Sequence, residues 1–271
     1  MSTQVDLFTT VEPTSVSPAI AKPFVSRSTF YQGDCLVEMY KIEDKSVDMI
    51  LCDLPYGTTQ NKWDAVIPFD LLWKQYNRII KPTGIIALTA SQPFSSALLM
   101  SNPTMFKHEW IWLKNRGSNF ANTVREPFKE HEQVLIFSNG KWTYNKQMQE
   151  RTGGGKDLIG KKVGTGKLQR EGVGKFNEFK DIESLPELRV PSSWQKFNTE
   201  VGLHPTQKPV ELMEYLIKTY TNEGETVLDN CMGSGTTNLA CIKLNRKSIG
   251  IEKEKQYYDV AVRRASQYCR N

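Results

Sequence analysis

A strand that runs into a glycine turn and out into a helix constrains this chain more than any other stretch. It reads Leu228-Asp229-Asn230-Cys231-Met232-Gly233-Ser234-Gly235-Thr236-Thr237. Glycine lets the main chain approach a ligand, and the start of the helix offers free N–H groups. A tight strand-to-helix connection alone would produce the same turn. A nicotinamide site is disfavoured, because Asn238 stands where the third glycine of G-x-G-x-x-G belongs. Glu252 ends the next apolar run, where a carboxylate can accept hydrogen bonds from a ribose diol.

The rest of the chain repeats that alternation. Apolar runs at 47–52, 85–89, 109–113, 133–137, 226–229 and 248–252 are expected strands. Helical periods cover 69–80, ended by Lys81-Pro82-Thr83-Gly84, then 93–100, 209–220, 236–244 and 255–268. Alternating strands and helices predict an α/β chain with a mostly parallel sheet covered on both faces. Trp110 and Trp112 share strand parity, which favours core packing over base stacking; Trp142 remains open to either. With 271 residues, the chain suits one large domain or one domain with an insertion.

Residues 1–26 are rich in Ser, Thr, Pro and Val and read as a flexible tail. They show neither a basic n-region nor an apolar h-region, so no secretory signal is expected. No apolar run reaches the ~18 residues of a membrane span. The five cysteines show no CxxC spacing and accompany only three histidines, which argues against a disulfide framework or structural zinc and for a reducing cytosol. No metal site is expected.

Charge is local. Between residues 138 and 180 ten Lys/Arg face four Asp/Glu, a local +6 on a chain of net +5. Residues 151–175 hold eight glycines and no convincing period, so this is a basic insertion, not a core element. A basic segment on a nearly neutral body suits an anionic partner, or is simply a solvated loop.

Two further motifs lie in telling places. Asp53-Leu54-Pro55-Tyr56-Gly57 follows the strand at 47–52, and ligands of open parallel sheets bind beyond the carboxyl ends of strands. A carboxylate, a free carbonyl and an aromatic face are the parts needed to grip a planar base with an exocyclic amine. His204-Pro205-Thr206-Gln207-Lys208-Pro209 enters the helix that precedes the glycine turn.

Together the three motifs resemble those of the DNA amino-methyltransferases, over roughly residues 29–268. D-L-P-Y at 53–56 resembles the family's catalytic tetrad, M-G-S-G-T-T at 232–237 its S-adenosylmethionine loop, and HPTQKP at 204–209 the segment before that loop. Their order looks like the circularly permuted β subclass. The fold implied is Rossmann-like, with a basic target-recognition insertion. The parts are then a tail at 1–26, a catalytic half at 27–140, the insertion at 141–203 and a cofactor half at 204–271. Two departures stand out. Leu54 replaces a proline whose carbonyl does the work, and Leu keeps that carbonyl. Asn230-Cys231 stands where Pro-Phe is usual, and the resemblance implies that Cys231 would pack less firmly on the adenosyl group than Phe does.

The resemblance also implies roles. Asp53 and the Leu54 carbonyl would accept the two N–H groups of the target amine, within the catalytic set Asp53, Leu54, Pro55 and Tyr56, and Tyr56 would stack on the base. The nucleotide must be flipped out of the duplex. Asp at the first tetrad position points to adenine N6, where cytosine-N4 members usually carry Ser. For S-adenosylmethionine, the contacts implied are Asp34, Cys35, Asp53, His204, Thr206, Lys208, Asn230, Cys231, Gly233, Ser234, Gly235, Thr236, Thr237 and Glu252. For DNA they are Arg116, Arg125, Lys156, Lys161, Lys162, Lys167, Arg170 and Lys175. The partner is double-stranded DNA, with a second copy of the chain and a cognate restriction endonuclease as further candidates. The setting implied is cytoplasmic and nucleoid-associated.

Three other readings compete. Residues 155–162 nearly match G-x-x-x-x-G-K-[ST], but Lys162 offers no hydroxyl for Mg²⁺. A non-enzymatic DNA-binding module would leave both motif turns unexplained. An RNA methyltransferase uses the same base-gripping logic and is separated only by substrate.

Overall fold

Nearly every apolar strand position is buried, and successive residues serve opposite faces of one sheet. In the computed structural model, which describes residues 27–59, 61, 64–151, 188–200, 202–203 and 205–268, the chain runs β1 (Ser28–Gln32), α1 (Cys35–Glu38), β2 (Val47–Asp53), α2 (Phe69–Ile79), β3 (Ile80–Ala90), α3 (Phe94–Ser101), β4 (Phe106–Leu113) and β5 (His131–Phe137). Then come β6 (Gln149–Glu150), β7 (Leu188–Arg189), β8 (Trp194–Lys196), α4 (Val210–Tyr220), β9 (Thr226–Asp229), α5 (Thr236–Lys243), β10 (Lys247–Glu252) and α6 (Lys255–Tyr268). Eight strands form one sheet in the order β1-β10-β9-β2-β3-β5-β4-β8. Pairing is parallel from β1 to β3, and β5 is antiparallel to both its neighbours.

The faces differ as the period of two requires. Ile50, Cys52, Ile86, Leu88 and Leu228 pack on one side with Leu72 and Tyr76 of α2. Met49, Leu51, Ile85, Ala87 and Val227 pack on the other with Leu212, Leu216 and Tyr220 of α4. Trp110 and Trp112 belong to this second core, so core packing holds for both.

Two stretches differ from the pattern-based reading. Lys81-Pro82-Thr83-Gly84 is not a helix-ending turn, because α2 passes directly into β3 at Ile80. Ile80 pairs with Val47, the register then shifts, and pairing resumes at Ile85 with Met49. The four residues bow out between those pairs, which is where a strand tolerates proline. β4 likewise begins at Phe106, ahead of a register shift at 106–108. The edge strands β1 and β8 are too short and polar to announce themselves. β6 and β7 pair Gln149 with Arg189 and Glu150 with Leu188, joining the two ends of 152–187; the glycine-rich and P-loop-like stretches fall outside the described residues. No described helix is long and apolar enough to cross a membrane.

Candidate active site

The parallel strands β1, β10, β9, β2 and β3 end side by side, and their carboxyl ends carry the residues that the motifs singled out. β2 and β3 set Asp53 opposite Thr89. Asp53 Oδ1 accepts from the Tyr56 hydroxyl at 2.9 Å and from the Thr89 hydroxyl. Its Oδ2 accepts from Lys208 Nζ at 2.6 Å. The Tyr56 ring stacks on Phe94 with centroids 5.0 Å apart and planes 26° off parallel. Leu54 is buried, with its side chain in the core.

Lys208 connects this turn to a second carboxylate. Its Nζ lies 3.5 Å from Glu132 Oε2, and Glu132 Oε1 is 3.1 Å from Lys114 Nζ. A line of alternating charge therefore runs Asp53, Lys208, Glu132, Lys114. Burial alone would lower the Lys208 pKa, but the charges of Asp53 and Glu132 outweigh it and the net shift is upward. Burial pushes the Tyr56 phenol well up, and the Asp53 and Glu132 charges add to that, so Tyr56 is a neutral donor. Asp64 fastens the backbone after Tyr56: its carboxylate accepts from the N–H groups of Gly57 (2.9 Å), Thr58 (2.9 Å) and Thr59 (2.6 Å).

The glycine turn lies one strand away. Gly233 and Gly235 have φ of 52° and 74°, left-handed values that glycine adopts without penalty. A Cβ on Gly235 would also come within 2.8 Å of the Ala261 Cβ on α6. Glu252 Oε2 accepts from the Gly233 N–H at 2.9 Å and Oε1 from Glu254 N–H at 2.7 Å, so the carboxylate faces the turn. Desolvation raises its pKa. Asp229, behind the turn, is fully buried and pushed up to about 6, chiefly by desolvation. Thr236 accepts from Arg264 and Thr237 donates to Asp229.

Not every residue singled out from sequence meets there. Asp34 caps α1 through the Leu36 N–H at 3.0 Å, and β1–β10 pairing holds it near Glu252. The Cys35 and Cys231 thiols hydrogen-bond each other, and that contact with burial drives the Cys35 pKa far up. Asn230 turns away: it is buried and accepts from the Tyr76 hydroxyl at 2.6 Å. Ser234 is buried, and Thr206 is exposed in the turn before α4. Arg116 and Arg125 are exposed on the β4–β5 loop. His204 and the insertion residues Lys156, Lys161, Lys162, Lys167, Arg170 and Lys175 lie outside the described residues.

Pattern reading missed Glu132, Lys114, Asp64 and Glu200. Glu200 accepts from the Val210 N–H at 2.9 Å and so caps α4 just past Lys208. Glu132 left a faint signal, a carboxylate just ahead of the apolar run at 133–137. Asp64 left none, since its partners are backbone groups. Among the described residues no cluster of His, Cys, Asp and Glu is arranged to hold a metal.

Fold and site define an open α/β protein that binds ligands across adjacent strand ends, with a glycine turn on one side and a carboxylate–tyrosine grip on the other. The sequence profile of the N6/N4 DNA methylase family matches residues 47–263. The chain belongs to that family and is a DNA amino-methyltransferase. It is 29% identical over 249 residues to the Type II methyltransferase M.HpaI of Haemophilus parainfluenzae, covering 86% of this chain and 72% of that one. It is 27% identical over 254 residues to the DNA adenine methyltransferase YhdJ of Escherichia coli K12, covering 87% and 82%. Among solved structures it resembles the M1.HpyAVI–SAM complex, with TM-score 0.59, 26% identity and coverage of 88% and 98%.

Proposed function

We propose that this chain transfers the methyl group of S-adenosylmethionine to the N6 amine of an adenine flipped out of double-stranded DNA. The observation that carries this is Asp53, ending a central strand with Tyr56 and Thr89 on one oxygen and Lys208 on the other. Asp rather than Ser at this position favours adenine, and the relative YhdJ is a DNA adenine methyltransferase.

The residues at these strand ends suit the cofactor. The Glu252 carboxylate looks onto the glycine turn, where a side chain at Gly235 would collide with α6. Glu252 and Asp34 would hold the ribose and the adenine edge, and Gly233, Gly235, Thr236 and Thr237 the methionine end. When bound, S-adenosylmethionine supplies a methyl group already activated by its sulfonium charge. The protein's task is then mainly to place the amine. Asp53 and the Leu54 carbonyl accept its two N–H bonds, which turns the nitrogen lone pair out of the ring. Tyr56, steadied by Phe94, stacks on the base. As the amine gains positive charge, the Asp53 carboxylate stabilises it and can take the proton finally lost.

The motif order, tetrad before cofactor loop, supports the β subclass. Residues 141–203 serve as the target-recognition insertion between the catalytic half at 27–140 and the cofactor half at 204–271. The exposed Arg116 and Arg125, with Lys156, Lys161, Lys162, Lys167, Arg170 and Lys175, supply phosphate contacts, so binding weakens as salt rises. A nucleoid-associated protein in the cytoplasm, with a restriction endonuclease or a second copy as partner, fits this reading. The test is nucleoside mass spectrometry, with modification-sensitive sequencing, of DNA from cells expressing the chain. N6-methyladenine is expected. N4-methylcytosine alone overturns adenine, and methylation of RNA but not duplex DNA overturns the substrate class.

A further inference from the structure

We propose that Phe120 and Val124, at the tip of the loop joining β4 to β5, form an apolar wedge that enters the DNA duplex where the target nucleotide leaves it. The proposal rests on reading the chain as a base-flipping DNA methyltransferase.

The loop, residues 114–130, stands over the carboxyl end of the sheet. Lys114 at its base pairs with Glu132, which also faces Lys208. On the other side Lys129 Nζ reaches the Gln92 carbonyl at 3.5 Å, just beyond the strand that carries Thr89. The loop is thus tied to Glu132, which faces Lys208, and to the chain just past β3, which carries Thr89.

It is also internally built. Asn119 Nδ2 donates to Glu126 Oε1 and to the Pro127 carbonyl, each at 3.0 Å, and its Oδ1 accepts from the Lys129 N–H at 2.7 Å. A short 3-10 turn covers Phe120–Asn122, and the Thr123 hydroxyl bonds the Phe120 carbonyl at 2.8 Å. Phe128 lies so close over Gly117 that a Cβ there would fall within 2.5 Å of its ring. Phe128 folds back on Gly117 and is about half as exposed, at 44%, while Phe120 and Val124 point outward.

Those two are the most exposed large apolar side chains among the described residues, at 81% and 85%. A loop fastened by its own hydrogen bonds holds them in water. Exposed Arg116 and Arg125 share the loop, a pairing of charge and apolar tip that matches a phosphate-flanked base stack. Flipping a nucleotide leaves a gap between base pairs, and apolar side chains are the groups that enter DNA steps as wedges. The phenyl ring supplies the stacking face and Val124 the shoulder beside it.

The test uses the full chain, S-adenosylmethionine and duplexes bearing the sequence that methylation mapping identifies. Phe120→Ala should lower kcat/KM on the fully paired duplex about ten-fold or more. On a duplex whose target base faces an abasic site, the loss should shrink to about two-fold, because that base is already unpaired. With 2-aminopurine at the target position, the fluorescence rise on binding should fall in the variant. Phe120→Leu, which keeps an apolar tip, should retain most of the rate, and calorimetric cofactor affinity should stay unchanged in both. Equal losses on the two duplexes, or none on either, would overturn the wedge. So would a change in oligomeric state in Phe120→Ala, which would assign the tip to a second copy. If Phe120→Ala proves unstable, Val124→Ser must show the same duplex-dependent loss. Failure of the wild-type chain to methylate any duplex would strike the functional reading itself.

Discussion

Asp64 holds three consecutive backbone N–H groups directly after Tyr56, so Asp64→Ala tests how the catalytic turn is kept in shape. Hydrogen bonds to a charged acceptor are worth about 1.5–3 kcal/mol each, and some freed N–H groups will find water, so the expected net loss is ~2–4 kcal/mol. For a chain of this length that lowers Tm by roughly 5–15 °C. Rate should fall further than stability suggests. A displacement of about 1 Å in a positioning group can cost ~100-fold, so kcat is expected to drop about 10- to 100-fold with cofactor affinity intact. The pH dependence identifies the source. Burial would raise the Asp64 pKa, but the Gly57, Thr59 and Thr58 hydrogen bonds outweigh it and the carboxyl is held low. A depressed carboxyl contributes stability that is complete above its unfolded value and lost as pH falls through the folded one. The gap between wild type and Asp64→Ala should therefore be full at neutral pH and narrow below about pH 4. Scanning calorimetry across pH, paired with labelled-methyl transfer, measures both. A variant that melts with the wild type, or a gap that does not change with pH, would refute the reasoning.

Asp53→Ala should abolish methyl transfer and leave calorimetric cofactor binding largely intact; loss of both in a folded protein would make Asp53 a cofactor ligand. Glu132→Gln and Lys208→Met should each slow methyl transfer, and the double variant should be little worse than Lys208→Met, because Glu132 acts through Lys208; losses that multiply would separate the two. Asp229, raised in the fold to about 6, makes the native state bind a proton that the unfolded chain releases. Stability should therefore fall as pH rises from about 4 to about 6, and Asp229→Asn should flatten that stretch in chemical denaturation. Deleting 153–175 should sharply weaken duplex binding and flatten its salt dependence while cofactor binding persists; unchanged DNA affinity at moderate salt would remove the insertion from the DNA interface.

Features encoded in local spacing were readable from the residues alone. Apolar runs at 47–52 and 226–229 were legible as buried strands because both faces of a parallel sheet must be apolar. The helix at 210–220 was legible from its period, and the glycine turn from a left-handed backbone that other residues avoid. Asp53, Tyr56, Lys208 and Glu252 were legible because each sits in or beside a motif at a strand or helix end. How those ends meet follows from the packing of the sheet. The strand order interleaves β10 and β9 between β1 and β2, bringing Asp34 beside Glu252 from opposite ends of the chain. Nothing local told that Asn230 would turn inward to Tyr76, or that Lys208 would lie between Asp53 and Glu132. Those pairings join residues 76 to 155 positions apart. Packing of the sheet selects such contacts, and they carry no periodicity that a sequence could display.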